Sequence, residues 1–134
     1  MRNLTHVCLE TMIAACLVVA AFGSAVAQEG NAEEGAEVFK KCRACHDVGA
    51  DAKNKVGPLL NGILGRKAGT IDGFAYSDAN KAAGAKGLVW TDDVMFKYLE
   101  NPLSFMAGTK MAFAGLKDAQ DRKDLIAYLK KFPK

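Results

Sequence analysis

Apolar residues recur along much of the chain with the period of amphipathic α-helices, and glycine-rich stretches without any period separate these segments. No segment shows the strict alternation of apolar and polar residues that is typical of a β-strand. Glycines and Pro58 interrupt residues 47–87 so often that little periodicity survives there. The pattern predicts an all-α domain of three to five helices with long loops, with helices near residues 32–45, 77–83, 92–101 and 118–132.

Three of the predicted helices begin at residues that can cap them. Asn31, Ser77 and Thr91 each carry a side-chain oxygen that can accept a hydrogen bond from a first-turn amide. Pro102 is expected to end the third helix, because proline cannot continue the hydrogen-bond ladder, and the residues after it are expected to form a loop. The last helix presents an apolar stripe that includes Leu125 and must pack on a core.

An almost uninterrupted apolar run from Met12 to Ala27 precedes the helices. Arg2 stands before the run, and Ala25-Val26-Ala27 at its end forms an A-x-A cleavage pattern. This order predicts a signal peptide over residues 1–27, a mature domain over residues 28–134, and export to the periplasm. Two alternatives are a retained membrane anchor, since the run approaches the lower limit for spanning, and a lipoprotein cleavage box ending at Cys16, which leaves a very short apolar run.

Cleavage after Ala27 changes the inventory of reactive side chains. His6, Cys8 and Cys16 would be removed, so that Cys42 and Cys45 are the only thiols and His46 is the only imidazole of the mature chain. The chain of 134 residues suits one domain, and its formal net charge of +3 is too small to suggest nucleic-acid binding.

The motif Cys42-Arg-Ala-Cys45-His46 has four chemical interpretations. A structural zinc site needs four ligands, and residues 28–134 offer only these three cysteine and histidine side chains. A reactive dithiol of the thioredoxin type lies at the start of a helix beside βαβ units, whereas this motif ends a predicted helix in a chain without strands. A plain disulfide leaves His46 without a role. C-x-x-C-H is also the attachment motif of c-type haem, and we favour this interpretation.

Haem iron ligated by His46 needs a second axial ligand or an open position. A second histidine is absent from the mature chain, and methionine is the usual alternative. Met95 lies in a predicted helix, whereas Met106 and Met111 both lie in a glycine-containing loop. Spacing alone does not choose between the two loop methionines.

Six segments spread over nearly the whole mature chain resemble class I cytochrome c in sequence and order: CRACH, KVGPLLNGILGRKAG, FAYSDANK, YLENP, GTKMAFAGL and DLIAYLKK. The resemblance implies the cytochrome c fold wrapped around one covalently bound haem c, with Met111 of GTKM as the axial ligand and Met106 as a packing residue. It also implies that the Pro58 carbonyl accepts the His46 Nδ1–H, and that Gly35 and Phe39 pack on the last helix.

The resemblance assigns six further residues to the surroundings of the haem. It implies positions near the propionates for Arg66, Tyr76 and Trp90, and a hydrogen-bond network formed by Asn80, Tyr98 and Thr109. Two departures from the mitochondrial pattern are a longer segment over residues 81–89 and Ala107 in place of a common proline.

The implied function is that of a soluble one-electron carrier rather than an enzyme. Such a carrier is expected to be a monomer that docks on membrane electron-transfer complexes, for example a cytochrome bc complex, an oxidase or a reaction centre. A lysine-ringed face would serve this docking, with Lys41, Lys55, Lys110 and Lys117 as its candidates. A haem peroxidase or ligand-binding sensor is the rival function and would require Met111 to be absent or labile.

Overall fold

The computed structural model describes residues 29–134, in which five helices are joined by long loops. They are α1 (Ala32–Phe39), α2 (Asp78–Ala85), α3 (Asp92–Glu100), α4 (Pro102–Phe105) and α5 (Ala119–Leu129). The predicted all-α class is confirmed. The predicted signal peptide over residues 1–27, with His6, Cys8 and Cys16, lies outside the described residues. None of the helices described is long and apolar enough to cross a membrane.

Side-chain caps fix the starts of the helices. The Asn31 side chain accepts hydrogen bonds from two first-turn amides of α1, and Ser77 and Thr91 cap α2 and α3 as predicted. Asp118 caps α5 in the same way. Each cap satisfies amides that a helix start would otherwise leave unpaired, a contribution of about 1 kcal/mol.

The first helix is shorter than the prediction of residues 32–45, because α1 ends at Phe39. Tight turns follow, in which the Cys42 amide bonds the Phe39 carbonyl at 2.8 Å and the Cys45 and His46 amides both bond the Cys42 carbonyl. The Cys42 and Cys45 bonds span three residues and wind the chain more tightly than an α-helix, whereas the His46 bond keeps the α-helical spacing of four. The spacing of charged and apolar residues does not distinguish helical turns from these tighter turns. The predicted end of the first helix at residue 45 was therefore wrong.

The prediction of a loop directly after α3 was also wrong, because residues Pro102–Phe105 form the one-turn helix α4. Asn101 ends α3 and caps α4 by accepting from the Ser104 amide. Pro102 occupies the first helical position, where its missing N–H costs nothing. Proline therefore ends one helix and begins the next.

The first and last helices cross in direct contact at Gly35. A Cβ at this position would lie 2.0 Å from the Asp124 carbonyl oxygen, so only glycine permits the approach. Beside the crossing, the rings of Phe39 and Tyr128 pack with centroids 5.4 Å apart, and Leu125 is almost fully buried. The resemblance implied this contact, and the structure places Gly35 and Phe39 there.

Backbone pairing outside the helices joins two distant loop segments. An isolated antiparallel bridge links Lys67 and Val89, and the Trp90 amide donates to the Arg66 carbonyl at 2.9 Å. The bridge thereby places Arg66 and Trp90 beside each other on the wall of an internal cavity.

Candidate cofactor-binding site

A mainly apolar cavity of about 330 Å³ lies among α1, α3, α5 and the loops on either side of α2. All the side chains that the sequence selected as ligands, attachment points or polar neighbours line it. They are Cys42, Cys45, His46, Pro58, Arg66, Tyr76, Asn80, Trp90, Tyr98, Thr109 and Met111. The fold thus gathers side chains that are spread along residues 42–111 around one cavity.

The two cysteines are free thiols in different environments. Cys42 is half-buried and Cys45 is exposed, and they are not joined by a disulfide. Burial raises the pKa of the Cys42 thiol to about 11, although the nearby Lys41 ammonium acts in the opposite direction. Cys42 is therefore a protonated, weakly nucleophilic thiol at neutral pH, unlike the low-pKa thiol of a reactive dithiol.

The His46 imidazole is held by the loop that follows the motif. Its Nδ1 lies 2.8 Å from the Pro58 carbonyl oxygen, which places the proton on Nδ1 and leaves Nε2 with its lone pair free. Burial lowers the pKa of His46, while the Pro58 contact raises it in part. A Cβ on Gly57 would lie 2.4 Å from the ring, so this glycine is what lets the loop approach. Sequence reasoning did not select Gly57, although its place directly before Pro58 was a signal.

The two loop methionines have different surroundings. The Met111 side chain lines the cavity, its Sδ accepts a hydrogen bond from the Tyr98 hydroxyl at 3.1 Å, and its amide donates to Thr109 Oγ1 at 3.2 Å. Met106 is buried in the hydrophobic core and does not line the cavity. Burial raises the pKa of Tyr98, with Thr109 acting in the opposite direction, so the hydroxyl stays protonated as a donor.

Arg66 brings a buried positive charge to the cavity. Arg66 is 6% exposed, and its guanidinium donates to the Asn61 and Leu59 carbonyls. Burial lowers the pKa of Arg66, and none of the ion pairs formed among residues 29–134 includes it. A buried guanidinium without a carboxylate partner is costly, and it favours an anionic group in the adjacent space.

Asn80 also has an unsatisfied group at the cavity. Its Oδ1 is buried and has no hydrogen-bond partner. Buried polar atoms are normally paired, so the cavity is suited to a ligand with polar as well as apolar parts.

These side chains fit covalently bound haem. Two thiols beside an imidazole, a thioether, mainly apolar walls and one unpaired buried cation match the attachment points, iron ligands, macrocycle and carboxylates of that group. By contrast, residues 29–134 contain no group of three or more His, Cys, Asp or Glu side chains that could hold a metal ion without a macrocycle.

The apolar part of the lining was largely missed from the sequence. Leu60, Ile63, Phe74, Phe113 and Leu129 line the cavity. The first four lie in loops, where no period marks their direction, and Leu129 belongs to an apolar stripe of α5 that is equally typical of ordinary helix packing.

The four candidate docking lysines do not all lie at the cavity. Lys41 and Lys110 line it. The Lys55 ammonium donates at 2.6 Å to the carbonyl of Arg43, which lies within the Cys42–His46 motif. Lys117 lies on a separate surface depression with Lys97, and its ammonium bonds the Glu100 carbonyl.

Comparisons with known proteins agree with this architecture. Residues 32–133 match the family model described as Cytochrome c. The chain is 53% identical over 116 residues to cytochrome c2 of Blastochloris viridis, covering 87% of this chain and 89% of that protein. It is 59% identical over 99 residues to cytochrome c-550 of Ancylobacter novellus, covering 74% and 92%. The solved structure of cytochrome c2 from Rhodospirillum centenum superposes with a TM-score of 0.75 at 47% identity, covering 78% of this chain and all of that one.

Proposed function

Because the chain belongs to the cytochrome c family, we propose that it is a one-electron carrier whose single haem c is attached at Cys42 and Cys45 and ligated by His46 and Met111. Cytochromes c are electron-transfer proteins rather than enzymes. The observation that carries the proposal is the convergence of these four side chains on one mainly apolar cavity.

Haem c supplies an iron that alternates between the ferric and ferrous states, and ligation by histidine and methionine gives it a high potential. The protein orients the ligands. The Pro58 carbonyl keeps the His46 proton on Nδ1 and leaves Nε2 to donate to a metal. The Tyr98 hydroxyl and the Thr109 side chain hold Met111 at the cavity wall. Two protein ligands leave no position for oxygen or peroxide, which favours a carrier over a peroxidase or sensor.

The polar wall is suited to the carboxylates of the cofactor. Arg66 is the charged group, and Tyr76, Trp90 and Asn80 line the cavity with it. A buried cation near these carboxylates would offset the cost of burying both charges. The apolar remainder of the wall favours the less charged ferrous form and so adds to the high potential.

Docking on a partner would use the cavity rim. Lys41 and Lys110 are exposed there, and a ring of positive charge accelerates encounter with acidic patches on membrane electron-transfer complexes. Lys55 is a third candidate. Lys117, which lies on a separate depression, would contribute less.

The carrier would act as a periplasmic monomer after removal of residues 1–27. The apolar run with its A-x-A pattern, which predicts a cleavable leader, and the bacterial cytochrome c2 and c-550 relatives support this part of the proposal. Intact mass spectrometry of the purified protein tests it: a chain beginning at Gln28 is expected, and a chain that keeps the apolar run would indicate a tethered carrier instead.

Absorption spectroscopy tests the ligand assignment. Ferric wild-type protein should show a weak far-red band from sulfur ligation, which Met111→Ala abolishes and Met106→Ala retains, since Met106 packs in the core. The reverse pattern would reject Met111. Rapid carbon monoxide binding by the reduced wild-type protein would reject the closed site and favour the sensor or peroxidase function.

A further inference from the structure

Arg122 of α5 is a second buried cation. Its side chain is 5% exposed, and its Nε is buried without a hydrogen-bond partner. No ion pair formed among residues 29–134 includes it. Burying a guanidinium in this way is costly, so its remaining contacts must compensate for that cost.

The Arg122 guanidinium joins three parts of the fold. Its Nη1 donates to the Leu116 carbonyl at 2.6 Å and to the Lys117 carbonyl at 3.1 Å. The same group lies over the ring of Phe96 in α3, 4.3 Å from the centroid. Arg122 therefore fixes the backbone of residues 116–117 against α3 and α5.

A second set of contacts holds the same backbone on the end of α3. The Leu116 amide donates to the Leu99 carbonyl at 2.7 Å. Gly115 has a φ of +91°, and a Cβ there would lie 2.2 Å from the Glu100 carbonyl oxygen. Residues 115–117 thus form an anchor, which we name the 115–117 anchor.

The stretch between Met111 and this anchor has no backbone hydrogen bonds of its own. Among the described residues, no hydrogen bond between two main-chain groups involves residues 110–115, and the Met111 amide donates to the Thr109 side chain. The position of Met111 therefore depends on the side-chain contacts of Thr109 and Tyr98 and on the 115–117 anchor a few residues further along.

We propose that Arg122 is a positioning residue for Met111: by holding the 115–117 anchor, it determines how firmly the methionine sulfur stays at the cavity. This inference rests on the proposed role of Met111 as an axial ligand. Arg122 does not line the cavity and acts only through the backbone that it binds. Loosening the anchor should make Met111 easier to displace by an added ligand.

Imidazole titration of the haem-loaded ferric protein tests the proposal. Arg122→Met removes the hydrogen bonds, and Arg122→Lys keeps the charge but cannot bind both carbonyls while lying flat on Phe96. We expect Arg122→Met to bind imidazole at least about tenfold more tightly than wild type, the effect of losing one hydrogen bond to a charged group. Arg122→Lys should show a smaller increase, with the far-red band weakening in the same order.

Ile126→Ala is the matched control, because Ile126 is buried in the same helix but does not line the cavity and makes no hydrogen bond to the anchor carbonyls. It should lower stability while leaving imidazole affinity within about threefold of wild type, because it removes none of the hydrogen bonds to the anchor carbonyls. The proposal is overturned if Ile126→Ala and Arg122→Met lower the free energy of unfolding by the same amount and also increase imidazole affinity equally. It is overturned as well if neither Arg122 variant changes imidazole affinity.

Two further measurements keep the test interpretable. If Arg122→Met does not fold, Phe96→Leu replaces it in the test, because this change removes only the aromatic surface beneath the guanidinium. Phe96→Leu should increase imidazole affinity as Arg122→Lys does. An unchanged imidazole affinity in both variants refutes the proposal. If wild-type protein lacks the far-red band, Met111 is not a ligand and the proposed function itself fails. A normal wild-type band with unchanged Arg122 variants rejects the positioning role alone.

Discussion

Tyr98→Phe isolates one contact of the proposed ligand. The Tyr98 hydroxyl donates to the Met111 sulfur at 3.1 Å, and its ring packs on Trp90 and Phe105 with centroids 4.7 and 5.6 Å away. Phenylalanine keeps both ring contacts and loses only the hydroxyl. Because burial raises the pKa of Tyr98 above its ordinary 10.0, the wild-type hydroxyl remains a donor throughout the neutral range.

The expected effect is a lower reduction potential. A hydrogen bond to the sulfur withdraws electron density from it and so favours the ferrous state. Removing a bond of about 1 kcal/mol should stabilise the ferric state by no more than this amount. A tenfold change in a one-electron equilibrium, about 1.4 kcal/mol, corresponds to about 59 mV, so the potential should fall by up to roughly 40 mV.

Spectroelectrochemical titration of the haem-loaded protein measures this shift. Tyr128→Phe is the control, because Tyr128 packs against Phe39 and Phe132 and does not line the cavity. It should leave the potential within a few millivolts of wild type, since its hydroxyl makes no contact with either ligand. An unchanged or higher potential in Tyr98→Phe would refute the role assigned to this hydrogen bond.

Three other changes have definite expected outcomes. Gly35→Ala should lower the free energy of unfolding by about 2 kcal/mol or more, because the new methyl group overlaps a carbonyl of α5; an unaltered denaturant midpoint would contradict the crossing. Electron transfer to a membrane complex should slow as the salt concentration rises. At low salt, Lys41→Glu and Lys110→Glu should reduce the rate constant more than Lys117→Glu does. Equal effects of the three variants, or a salt-independent rate, would reject docking at the rim. Preventing haem attachment should abolish most helical circular dichroism, because much of the apolar lining would lose its contacts; a native-like spectrum would show that the fold does not need the cofactor.

The sequence predicted the helices well where local chemistry determines them. Ser77 and Thr91 carry cap oxygens and are followed by acidic residues, which favour a first helical turn, and both helices begin where these residues indicate. The end of α1 could not be predicted, because the change to tight turns at Phe39 depends on where the motif must lie against the cavity. Pro102 shows the same limitation. Only the three-dimensional path of the chain after α3 shows whether proline ends a helix before a loop or also begins a new helix.

The site was predictable in its chemistry but not in its support. The C-x-x-C-H spacing identifies Cys42, Cys45 and His46 as candidates. The family resemblance, rather than the spacing, favoured Met111 over Met106 as the ligand. Arg122 shows what remained hidden: its proposed role comes from main-chain carbonyls of the loop just before its own helix, and a charged residue in an amphipathic helix is expected on the exposed face. A hydrogen bond from a side chain to a main-chain carbonyl leaves no mark in the pattern of apolar and polar residues.

The crossing of α1 and α5 also bears on how the protein is made. It joins residues 93 positions apart, as in the bond from the Asn31 amide to the Asp124 carboxylate. A chain that is synthesised and exported from its N-terminus has α1 without its partner until the last residues arrive. Cys42 and Cys45, the proposed attachment points, closely follow α1, so they would be accessible during this interval. The order of synthesis would thus leave a period for the proposed haem attachment before the final helix closes the domain.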